Sequence, residues 1–194
     1  MEVDRMNQPI LKDFPNEFYT ERLHIRLPLP GDGGQVHEAI SRSKNELAPW
    51  LPFARKDQTL EEAEAGAREA HVAFLKREDL RLHIFNKETN DFIGCTGLHR
   101  INWGVPKFEI GYWIDTRYSG QGFITEAVEG LTDFAFTELK AKRLEIRCDS
   151  LNTKSKAIPE RLGFELEGIL KNDDVAINGE GLRDTCIYAK VKHS

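Results

Sequence analysis

The stretch RYSGQGFITEA, residues 117–127, decides how the rest of the chain is read. Gly120 and Gly122 stand behind Arg117 and just ahead of a pattern with helical period. One reading is a tight turn that needs φ > 0, which glycine supplies without steric cost. The other is a cradle, since a helix N-terminus exposes unpaired N–H groups and a partial positive charge that suit phosphate. The spacing is too short for a Walker loop, no Gly-Lys-Ser/Thr follows, and the third glycine of the dinucleotide fingerprint is absent. The surroundings of the loop have to decide.

Downstream, Ile124, Ala127, Val128, Leu131, Phe134 and Ala135 fall on one face of a long helix. RLEIRC (143–148) is a strand, and NTKSKAIPERLGF (152–164) a short helix with Asn152 as N-cap and Gly163 as stop. FELEGILK and DTCIYAKVK end the chain as two strands around an Asn178–Gly179 turn. Upstream, LHIRLPLP (23–30) alternates into a first strand, and GDGG opens a helix that carries Val36, Ile40 and Leu47 and closes at APWLP. Thr59 and Glu62 form a capping box for LEEAEAGAREAHVAFLKRE. LRLHIFNK, DFIGCTGLHRI and KFEIGYWID then read as three antiparallel strands joined by turns. The order predicts a mixed α/β sheet with a strand–helix–strand crossover in its middle. Residues 1–19 read as an N-terminal extension and 20–194 as one domain.

The 194 residues suffice for a single core, and 40% hydrophobic with 30% charged residues is ordinary globular composition. A net charge of −5 argues against a direct nucleic-acid binder and suits amine-bearing substrates. No apolar run is long enough to span a membrane, and MEVDRMNQPI lacks a signal-peptide pattern. Cys95, Cys148 and Cys186 are odd in number and widely spaced, which predicts reduced thiols of a cytoplasmic protein and no metal site.

RYSGQG fits the Arg/Gln-x-x-Gly-x-Gly/Ala pyrophosphate loop of the Gcn5-related N-acetyltransferases, and NTKSKAIPERLGF resembles that superfamily's next helix. TERLHIRLP, LAPWLPF and EIGYWI are similar to the RimJ/RimL branch, so the resemblance runs from Thr20 onward in the right order. It implies the GNAT fold, an α/β sheet of about seven strands flanked by about four helices, antiparallel at its start and splayed between the fourth and fifth strands. It also implies acetyl-CoA as co-substrate. Its pantetheine arm would pair with backbone near Ile114, and Arg117, Tyr118, Ser119, Gly120, Gln121, Gly122, Phe123 and Ile124 would hold its pyrophosphate. Asn152 would reach a pantetheine carbonyl, and Ser155 would sit near the sulfur. Pro159 departs from a regular helix: it lacks the N–H that would serve the Ser155 carbonyl, which puts the aim of the Ser155 hydroxyl in question.

Acetyl transfer needs a neutral amine, a polarised carbonyl and a proton for the leaving thiolate. Ser155 is the candidate acid; its plainer role is to satisfy backbone N–H groups in the first turn. Asp174, which follows Asp173, and Glu109 are candidate bases, each otherwise a surface charge. Asp174 matches by offset a glutamate proposed as base in RimL-like enzymes. Trp50 and Tyr112, with His99 and Asn102, are candidates for the acceptor wall; Trp113 alternates with Tyr112 to the opposite face. His24, His37, His71, His83 and His193 show no ligand-like grouping and read as surface or interface residues, and a homodimer is among the expected assemblies. Cys148 reads as a buried strand residue. The expected activity is acetylation of a free amine, foremost the N-terminal α-amine of a ribosomal or other protein. The alternatives are a small-molecule amine (an aminoacyl nucleotide, an antibiotic-like molecule or a polyamine) and a non-catalytic acyl-CoA sensor.

Overall fold

Alternating apolar runs joined by short turns pair with their sequence neighbours, and so the first half of the chain builds an antiparallel ladder. A computed structural model, describing residues 8–192, shows eight strands in one sheet. Their order in space is β1 (Glu17–Tyr19), β2 (Leu23–Arg26), β3 (Leu80–Asn86), β4 (Phe92–Asn102), β5 (Lys107–Ile114), β6 (Arg143–Asp149), β8 (Leu182–Val191) and β7 (Glu165–Val175). Among the described residues five helices flank it: α1 (Gly33–Arg42), α2 (Lys44–Leu47), α3 (Leu60–Lys76), α4 (Phe123–Thr137) and α5 (Thr153–Arg161). His193 lies outside the described residues.

Both counts exceed the sequence expectation by one element, and each excess has a local cause. The extra strand is β1, which pairs Glu17 with Arg26 and Tyr19 with His24. Phe14 and Phe18 pack beside it on Phe134, so part of the segment read as an extension lies against the core. The extra helix arises because the run beginning at GDGG breaks at Ser43, whose buried hydroxyl accepts the Thr116 N–H at 2.9 Å. That bond docks the α1–α2 corner against the loop after β5. The capping box forms as read: Thr59 Oγ1 accepts from Glu62 N at 3.2 Å, and Glu62 answers to Thr59 N at 2.7 Å.

Every adjacent strand pair is antiparallel except β5 and β6, which run parallel and pair only between residues 107–109 and 143–145. Beyond Glu109, β5 pairs with β4 alone, while β6 stays on β8 to Asp149. The sheet therefore opens into a V at its middle. α4 packs its predicted apolar face on one side of the sheet, with Phe108 and Ile110 in the same cluster and Tyr112 and Ile114 at its edge. Trp113 faces the other way, packing with Val36 on the cluster of Ala39, Phe85, Phe92 and Cys95. Among the described residues no helix is long and apolar enough to cross a membrane.

Candidate active site

The loop between β5 and α4 answers the question its glycines raise. Gly120 and Gly122 have φ of +77° and +81°, so the turn does require left-handed backbone. The loop also leaves its amides free: within the described residues those of Gly120 through Thr125 donate to no backbone or side-chain acceptor, and the first α4 amide to do so is that of Glu126, at 3.0 Å from Gly122 O. Consecutive unpaired N–H groups at a helix start make an anion-binding concavity. The loop is held from outside. Buried Asp115 takes Arg42 at 2.6 Å, the Arg117 guanidinium at 2.9 Å and the Arg117 N–H at 3.0 Å. Arg22 donates to the Gln121 carbonyl at 3.1 Å and pairs with Glu126 at 2.6 Å. Asp115, Arg42 and Arg22 were not singled out in the sequence, since the Arg42–Asp115 and Arg22–Glu126 pairs join residues 73 and 104 positions apart.

The V between β5 and β6 continues from this cradle into a groove of about 1020 Å³, at the upper end of ordinary ligand pockets. Tyr118, Ser119, Gly120, Gly122, Phe123, Ile124, Ile114, Asn152 and Ser155 line it, and so do Glu109, Tyr112 and Trp50. Asn152 caps α5 by accepting the Ser155 N–H at 3.1 Å. Ser155 lies against Tyr112: its hydroxyl donates to the phenol oxygen at 3.3 Å, and the phenol donates to the Ser155 carbonyl at 2.8 Å. Burial pushes the Tyr112 phenol well above its ordinary range, so it stays protonated.

The two candidate bases differ sharply. Glu109 lines the groove from β5 with its carboxylate mostly buried. Burial raises its pKa, with neighbouring Arg100, Arg147 and His99 acting in the other direction. Arg100 Nε comes within 3.4 Å of Glu109 Oε2, but that oxygen is buried without a hydrogen bond. Asp174 is outside the groove on the exposed β7, bonded to Arg183 at 2.9 Å and to the Val175 N–H, which hold its carboxyl below the usual range. Asp173 pairs with Arg147 at 3.2 Å.

Several other candidates fall away from the groove. Arg117 and Gln121 are not among its lining residues; Arg117 is committed to Asp115, and Gln121 Nε2 to the Arg117 carbonyl at 2.9 Å. Asn102 shapes the turn after β4 by accepting from Gly104 N and Val105 N. His99 pairs with Asp79 at 2.6 Å and stands beside Glu109 across the strand pair. His83 is no surface residue: it is buried and bonded to Asp32 at 2.8 Å. Burial pushes the Cys148 thiol, which lines the groove, up to about 12. Among the described residues no group of three or more His, Cys, Asp or Glu side chains is arranged to hold a metal.

A profile of the acetyltransferase (GNAT) domain matches residues 22–165. YdaF of Bacillus subtilis (strain 168), provisionally named a ribosomal N-acetyltransferase, is 33% identical over 162 residues, covering 82% of this chain and 86% of YdaF. The ribosomal-protein-serine acetyltransferase of Escherichia coli (strain K12) is 28% identical over 80% of this chain and 85% of its own. In fold, the chain resembles the microcin C7 self-immunity acetyltransferase MccE, solved in complex with acetyl-CoA and AMP. The TM-score is 0.84 at 23% identity, covering 92% of this chain and 98% of MccE.

Proposed function

This chain belongs to the GNAT acetyltransferase family, and from that premise we propose that it acetylates the N-terminal α-amine of a protein, ribosomal proteins foremost, by direct attack in a ternary complex with acetyl-CoA. The observation that carries the reading is a single groove lined by an unpaired amide cradle, by the Ser155–Tyr112 pair, and by a mostly buried carboxylate, Glu109. Acetyl-CoA supplies the activated thioester. Its diphosphate suits the amides of residues 120–125, and its arm suits the unpaired edge of β5 beyond Glu109.

The Ser155 hydroxyl, which rests on the Tyr112 phenol in the free protein, turns to the departing sulfur and donates its proton, regaining one from solvent. Glu109 takes the acceptor's proton, directly or through one water. Raised toward neutrality, Glu109 is the better base than Asp174, whose ion pair with Arg183 lowers its basicity. Cys148 stays a thiol at neutral pH, which favours direct attack over an acyl-cysteine route. Trp50 forms the acceptor wall.

The direct test is thiol release from acetyl-CoA with a pool of N-terminally diverse peptides, then with amine metabolites. Turnover on metabolites alone would move the acceptor to a small amine. Binding without release on either would favour a sensor. For the cradle, Gly122→Ala is expected to weaken acetyl-CoA binding at least about tenfold, because a methyl group obstructs backbone approach. Within the protein that methyl would come no nearer than 3.4 Å to Arg22, so no packing clash accompanies it. The left-handed φ of +81° adds about 1–2 kcal/mol of strain. Calorimetry on the folded variant decides, and an unchanged Kd removes the cradle.

A further inference from the structure

The geometry points to Tyr112 as the residue that replaces the peptide N–H missing at Pro159 and thereby fixes the aim of the Ser155 hydroxyl. The inference rests on the reading of Ser155 as the proton donor. In an α-helix the Ser155 carbonyl would accept from the N–H of residue 159, and proline has none. A carbonyl left bare there would draw water or loosen the first turn of the helix that carries Ser155. The Tyr112 phenol meets that carbonyl at 2.8 Å from 43 residues away in sequence. Around the proline the helix keeps its form: Lys156 N bonds Asn152 O at 3.0 Å, and Leu162 N bonds Ile158 O at 3.1 Å.

Ser155 is thus held at three points. Its N–H goes to Asn152, its carbonyl receives Tyr112, and its hydroxyl donates to the same phenol oxygen. Tyr112 sits on β5 and Ser155 on α5, so the link spans the V where the sheet has no strand pairing. It acts on both the direction of the hydroxyl and the width of the gap. Because burial keeps the phenol protonated, it remains a donor throughout the neutral range. Tyr112 is on this account a positioning residue and not part of the acceptor wall.

The test is a four-protein cycle of wild type, Tyr112→Phe, Pro159→Ala and the double variant. With Pro159 present, Tyr112→Phe is expected to lower kcat at least about tenfold, with KM for acetyl-CoA little changed. In the Pro159→Ala background the new N–H serves the carbonyl, and the same change, which then removes only the long 3.3 Å contact from the hydroxyl, is expected to cost no more than about threefold. A phenol that only packs would give equal losses in both backgrounds, and that result overturns the inference. Urea unfolding of the same four proteins gives a second readout, in which Tyr112→Phe lowers the midpoint more with Pro159 present than in the Pro159→Ala background. Should Ser155→Ala retain full kcat, the acid role falls and the unfolding cycle alone judges the carbonyl bond. Equal midpoint shifts there remove it as well.

Discussion

Replacing Ser155 by alanine is expected to lower kcat by roughly 10²- to 10⁴-fold while KM for acetyl-CoA stays nearly unchanged. A proton donor acts on the leaving group only as the bond breaks, so its loss appears in kcat and not in ground-state binding. The fold should survive. The Asn152 cap bonds the Ser155 N–H and not its hydroxyl, and Tyr112 bonds the carbonyl, so both contacts persist in the alanine variant. Steady-state kinetics with a saturating acceptor would read the split. A raised KM with kcat spared would make the hydroxyl a binding group.

What the sequence revealed of this site follows a physical divide. Features set by residues within one turn of each other were legible, as with the Thr59–Glu62 box, the Asn152 cap and the buried face of α4. They depend on local hydrogen bonding and periodicity, which sequence spacing carries directly. Features set by distant partners were not. β1 has only three residues, and its place comes from pairing with β2 and from Phe18 stacking on Phe134. The break at Ser43 depends on an amide 73 residues away. Pro159 shows the divide most clearly. The missing N–H was visible in the sequence, but its replacement by Tyr112 required the two arms of the sheet to come together.

The choice between the two carboxylates was hidden for the same reason. Asp174, beside Asp173 after one strand-like run, and Glu109, within another, carry no local pattern that ranks one above the other. Only the fold gives one an arginine partner at the exposed edge and the other a largely dry position in the groove. Their pKa values move in opposite directions accordingly. Neighbouring features act together here, because the parallel pairing that ends at Glu109 is also what leaves its side chain at the vertex of the V.

Peptides with a free α-amine and no free lysine are expected to exceed N-terminally blocked, lysine-bearing peptides by at least about a hundredfold in kcat/KM, because the two amines differ so widely in neutral fraction. At pH 7 an α-amine near pKa 7.8 is about 14% neutral, and a lysine near 10.4 about 0.04%, a difference of ~3.5 kcal/mol. A carboxylate base acting without a strong partner suits the acceptor that needs least help. Glu109 works only when ionised, and burial has raised its pKa, so its contribution is lost as pH falls and grows as pH rises. Activity on α-amines should therefore climb between about pH 6 and 8.5 as the amine deprotonates, with the contribution of Glu109 fading toward the acid end. Glu109→Gln is expected to reduce kcat/KM about tenfold to a hundredfold and to leave a profile following the amine's titration alone. Matched peptides assayed across that range would decide both points. Comparable rates on the two amines would end the α-amine reading, and an unreduced kcat/KM in the Glu109 variant would pass the base role to solvent.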